Sequence, residues 1–79
     1  MAKNKSTPSL TDREKEVLTL LVDGYSNEEA GEKLKLSRRT VEAHRARIML
    51  KTNEHNLPGL VKYAIKNGLT TVDKHRSYE

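Results

Sequence analysis

Residues 37–51 hold the side chains best suited to bind a polyanion. Residues 38–51 carry five basic side chains (Arg38, Arg39, Arg45, Arg47 and Lys51) against one acid, Glu42. Their sum, +4, equals the formal net charge of the whole chain, so the remaining residues balance. Charge gathered on one segment of a small domain is the footprint of a phosphate-backbone ligand. A solvated basic face is the plainer alternative. The start of the segment argues for the ligand. Ser37 is a good helix cap, which makes Arg38 and Arg39 the first two helical residues. Cations at that positive end of the helix dipole cost roughly 0.3–1 kcal/mol each. A phosphate docked there reverses the sign, and an uncompensated local penalty of this kind marks a functional site.

Other chemistries find less support. His44 has no cysteine or second histidine at ligand spacing on its segment, and His55 and His75 fall in a loop and a tail. It is expected to be a half-buried packing residue. Glu14 and Glu16 point to different sides of one helix, so they are not an acid/base pair. Glu14 is expected to cap, and Glu16 to meet an arginine of the third helix. No metal, no cofactor and no catalytic activity are expected.

Composition sets the frame. Seventy-nine residues with 34% hydrophobic content and no Phe or Trp make one domain with a thin core. The absence of cysteine excludes a disulfide framework and thiolate chemistry. No apolar run approaches the ~20 residues of a membrane span, and no signal-peptide core is present. A cytoplasmic protein without membrane contact is expected.

Four helices must position the basic face. Residues 1–9 are polar and aperiodic, as expected for a disordered segment or linker. Residues 10–69 form the domain, and 70–79 a flexible tail. The first helix opens with the capping box Thr11 to Glu14, carries Val17, Leu18 and Leu21 inward with help from Leu10 and Leu20, and stops at Gly24. The second opens with Ser26 to Glu29, runs to about Lys35, and turns Ala30, Gly31 and Leu34 inward. The third follows Ser37, with Val41, His44 and Ile48 facing in. The fourth runs from about Leu57 to Asn67, with Pro58 at its start, and ends at Gly68. Its stripe is Leu57, Leu60, Val61, Ala64 and Ile65. No segment shows strand alternation.

The short turn around Lys35, Leu36 and Ser37 forces the second and third helices to cross steeply, as in a helix-turn-helix. Such a crossing needs a small residue where backbones approach. Gly31 and Ala30 supply it, the glycine at a helix-propensity cost of ~1 kcal/mol relative to Ala.

The combined pattern resembles the DNA-binding domain of the LuxR/NarL/GerE class of bacterial transcription regulators. It is most similar to FixJ-like response-regulator output domains. The matching residues begin with Leu10, Thr11, Arg13, Glu14, Glu16, Val17 and Leu18, then Gly24, Tyr25, Ser26 and Asn27. They continue with Leu34, Leu36, Ser37, Thr40, Val41, His44, Ile48 and Lys51, and close with Leu57, Pro58, Leu60, Val61, Ala64, Gly68 and Leu69. The resemblance covers about residues 10–69. It implies an all-α, four-helix LuxR-type helix-turn-helix domain with the third helix, about 38–52, in the major groove of double-stranded DNA. Two departures stand out. Ala30-Gly31 replaces a usual Ile-Ala pair and should loosen the second helix. Thr52-Asn53-Glu54 replaces a usual Leu-Gly-Val and should weaken packing at the end of the third.

With Val41, His44 and Ile48 inward, positions 38, 39, 42, 43, 46 and 50 lie on the far side. Arg39, Glu42, Ala43 and Ala46 are the candidates to face base edges, and the resemblance points to 42, 43 and 46 as well. Glu42 either accepts from a cytosine amino group or pairs with a neighbouring arginine. Asn27, Ser37, Arg38, Thr40, Arg45, Arg47 and Lys51 are the candidate backbone contacts. The resemblance also implies a homodimer on DNA through helix 57–67. Val61 and Ile65 are the expected interface residues, with Leu60 and Ala64 in the core. RNA polymerase is a further candidate partner. Two rivals remain: a sigma-factor-like promoter reader, and a protein-interaction module that binds an acidic partner through the basic helix.

Overall fold

Each helix opens on a polar side chain that accepts from the helix's own backbone. The computed structural model describes residues 9–70. It contains α1 (Asp12–Val22), α2 (Asn27–Leu34), α3 (Arg38–Thr52) and α4 (Leu57–Lys66), and no strand occurs among the described residues. Both expected capping boxes close. Glu14 N–H donates to Thr11 Oγ1 at 3.1 Å while Thr11 N–H donates to the Glu14 carboxylate at 2.9 Å. Ser26 and Glu29 repeat the arrangement at the start of α2, at 3.0 and 2.9 Å. Ser37 Oγ accepts from Thr40 N–H at the start of α3. The cap of α4 is Asn56, whose Oδ1 accepts from Gly59 N–H at 2.8 Å. Pro58 marked this start in the sequence; Asn56, the residue before the helix, is its cap.

The helix ends follow the turn chemistry. Gly24 at φ 103° and Gly68 at φ 74° take the left-handed conformations that end α1 and α4. Lys35 ends α2 in the same region at φ 60°, without glycine's freedom. Leu36 N–H then donates to Gly31 carbonyl at 2.8 Å, folding the turn back on α2.

That turn explains Gly31. A Cβ there would lie 2.5 Å from the Leu36 carbonyl oxygen. The close approach is to the turn itself rather than between helix axes. Gly31 is buried, and the backbone of Leu36 and Ser37 packs directly against it.

The core is Leu10, Val17, Leu18, Leu21, Val22, Ala30, Val41, Ile48, Leu60 and Ala64. Leu20, Leu34, Leu36, Leu57 and Val61 pack against its edge. Both α2 and α1 support α3, while α4 leans mainly on α1. The packing stripe on one side of α3 thus fixes its opposite side toward solvent. His44 is half-buried on the packing side, and its Nδ1 is enclosed without a hydrogen-bond partner.

The end of α3 replaces apolar packing with hydrogen bonds. Thr52 Oγ1 donates back to the Ile48 carbonyl at 2.8 Å, and Asn53 turns left-handed at φ 61°. The Glu54 carboxylate lies over Gly59, where any Cβ would collide with it. This places negative charge beside the first turn of α4, which has no acid of its own.

The expected boundaries need one correction. Thr70, read as the start of a flexible tail, is buried and donates to Asp23 Oδ1 at 3.0 Å. Residues 1–8, most of the expected N-terminal linker, and 71–79, the rest of the expected tail, lie outside the described residues.

Candidate nucleic-acid interface

The outer face of α3 is built from opposition to its core face. Val41 and Ile48 are fully buried. At about 100° per residue, the side opposite them is centred on positions 39, 43, 46 and 50. Arg39, Ala43, Ala46 and Leu50 are all exposed. Glu42 flanks this line on one side and Arg47 on the other, both exposed.

Ser37, Arg38, Arg39 and Thr40 crowd the N-terminus of α3, all exposed. Ser37 Oγ donates to Thr40 Oγ1 at 2.9 Å, linking two of the candidate backbone contacts. No acid lies in the first turn of α3. One turn further on, the Glu42 Oε2 accepts from Arg38 Nε at 3.0 Å. The free domain thus shows the arginine pairing considered for Glu42. An exposed i,i+4 pair is worth about 0.3–0.5 kcal/mol, so a ligand can redirect either partner at little cost.

Arg45 is half-buried rather than fully outward. It lines a shallow concavity with Leu21, Tyr25, Ser26, Asn27 and Leu57. The structure therefore brings Arg45 and Asn27, candidates from different helices, to one place at the start of α2.

Lys51 is a correction. Its ammonium donates to the buried Glu14 carboxylate at 2.8 Å and to the Ser9 carbonyl at 3.3 Å, so in the free domain it is held within the fold rather than presented on the outer face. Burial alone would raise the Glu14 pKa. The hydrogen bonds from Lys51 and from the Thr11 backbone, with the Lys51 charge, outweigh it and hold Glu14 below its usual range. Glu16 is a second correction: it pairs with Arg13 of its own helix at 3.1 Å, not with an arginine of α3. With Lys51 neutralised, the remaining face of α3 has four arginines against one glutamate, a net of +3.

On α4, Leu60 and Ala64 are buried, Val61 is half-buried and Ile65 is 37% exposed. Leu50, at 83% exposure, is the residue that reasoning from charge passed over. Its signal was the spacing 39, 43, 46, 50, which continues the ridge by one more step.

The profile of bacterial regulatory proteins of the luxR family matches residues 8–64. The chain belongs to the luxR family of bacterial regulatory proteins. Its helix-turn-helix is that of a DNA-binding transcription regulator. This luxR-family chain is 45% identical over 67 residues to the uncharacterized response regulatory protein YgeK of Escherichia coli, covering 85% of this chain and 46% of YgeK. It is 50% identical over 60 residues to the oxygen regulatory protein NreC of Staphylococcus carnosus, covering 76% of this chain and 28% of NreC. It thus spans less than half the length of these relatives. Among solved structures it is similar to VqmA of Vibrio cholerae, a LuxR-type receptor described as a dimer, at a TM-score of 0.74 and 29% identity over 86% of this chain and 31% of that one. A VqmA–ligand–DNA complex gives a TM-score of 0.72 at 29% identity, over 91% of this chain and 32% of VqmA. The luxR family is one of transcription regulators rather than of enzymes. Among the described residues, no helix is long and apolar enough to cross a membrane.

Proposed function

We propose that this domain binds double-stranded DNA sequence-specifically by laying α3 in the major groove. The observation that carries this is the outer face of α3: a narrow ridge, flanked by arginines, that begins at a helix N-terminus lacking any acid. Arg39, Ala43 and Ala46 face base edges, and Glu42 joins them when DNA draws Arg38 away. Ser37, Arg38, Thr40 and Arg47 hold phosphates, and Asn27 with Arg45 holds another from the start of α2. Two copies meet through Val61 and Ile65 of α4, which sets half-sites about one helical turn apart. The bound regulator acts on RNA polymerase in the cytoplasm, with no catalytic chemistry of its own.

Fluorescence anisotropy with a duplex over a range of salt tests the electrostatic half. Each phosphate contact contributes about one unit to the slope of log K against log salt. Arg47→Ala is expected to make that slope shallower by about one. An unchanged slope would remove Arg47 from the contacts.

A further inference from the structure

We propose that Leu50 is a specificity-determining residue, placed to contact the 5-methyl group of one thymine in each half-site. This rests on the major-groove placement of α3 proposed above and extends the set of base-reading residues.

Leu50 and Ile65 are the exposed large hydrophobic residues among the described part of the chain, and Leu50 is much the more exposed, at 83%. Leu50 follows Arg39, Ala43 and Ala46 at intervals of four, three and four residues. On a helix that spacing makes one straight ridge, here opposite the buried Val41 and Ile48. After Arg39, no side chain on the ridge has a polar atom. The cations stand to its sides, Arg38 and Arg45 on one flank and Arg47 on the other. This layout complements the major groove, where phosphates form both rims and thymine methyls project from the floor.

The surroundings of Leu50 argue against a protein partner. Its neighbours one turn away are Ala46, Arg47, Asn53 and Glu54. A single leucine among polar groups fits one methyl. It does not make the contiguous apolar patch of several hundred Å² that marks a protein docking surface. Length also fits. At 1.5 Å per residue, Leu50 lies about 6 Å along the axis beyond Ala46, close to two base-pair steps. A straight helix draws away from the curving groove floor over that distance. A long side chain bridges a gap that alanine cannot.

Selection from a randomised duplex pool with the full chain and with Leu50→Ala tests this. The wild type is expected to enrich thymine at one position per half-site, and Leu50→Ala to flatten that position while leaving the others. Anisotropy then compares the selected duplex with one carrying uracil at that position, which removes only the methyl. Uracil is expected to weaken the wild type about threefold to tenfold and to leave Leu50→Ala unchanged. Thermal unfolding of Leu50→Ala should match the wild type, because the side chain is exposed. The same selected motif from both proteins, or equal wild-type affinity for uracil and thymine, would overturn the role of Leu50 alone. A wild type that selects no motif would overturn it together with the major-groove placement.

Discussion

Lys51 sits on the most basic helix of the chain, yet its ammonium turns back onto Glu14 at the start of α1. The two residues are 37 positions apart, and no local spacing connects them. Burial decides the matter: the Glu14 carboxylate is enclosed, and leaving it unpaired costs far more than losing one surface phosphate contact. Lys51→Met should therefore destabilise the domain by about 2–4 kcal/mol in urea titrations. The salt slope of DNA binding should stay unchanged, whereas a phosphate ligand would lower it by about one. The Glu14 pKa is depressed in the folded state. Its contribution is thus complete above the ordinary carboxylate range and fades as pH falls through the folded value. The penalty of Lys51→Met should shrink on acidification from about pH 7 toward about pH 3; a constant penalty would contradict the pairing. Charge and spacing made the arginines of α3 legible from sequence. They could not show which basic residue was already engaged by a distant helix; spacing did place position 50 on the outer side, but charge gave no reason to single out its leucine.

The elements were legible where the signals are local. Thr11, Ser26 and Ser37 cap because a hydroxyl can accept from a backbone N–H within three residues, and Gly24 and Gly68 tolerate positive φ. The corner between α2 and α3 was legible only as a need for a small residue. The partner at Gly31, the Leu36 carbonyl, depends on how the turn folds back. Gly31→Val should cost about 2–3 kcal/mol, because a backbone carbonyl cannot rotate out of the way as a side chain can. Lys35 sits beside it in left-handed geometry. Lys35→Gly should raise stability by about 0.5–1 kcal/mol by removing the Cβ penalty at that end of α2. Paired thermal melts give both values. A neutral Gly31→Val would mean the corner is looser than its geometry states.

At the scale of the molecule, the thin core leaves α4 with a face that α1 does not cover. Leu60 and Ala64 turn inward, while Ile65 stays partly open beside the half-buried Val61. Periodicity divided the stripe in this way without the structure, because the core needs only one side of a short helix. Ile65→Glu should change the stability of the free domain by no more than about 0.5 kcal/mol. It should weaken binding to a two-half-site duplex at least about tenfold, with little change on an isolated half-site. Equal losses on both duplexes would remove α4 from the dimer contact.

Binding of the wild-type chain to a randomised duplex pool, with selection and sequencing at roughly physiological salt, brings the two faces together. A domain that reads bases through α3 and pairs through α4 enriches a palindromic motif with half-site centres about 10 bp apart. Retention of DNA without any enriched sequence would reduce α3 to an electrostatic surface and contradict the assignment of Arg39, Ala43 and Ala46 to base edges.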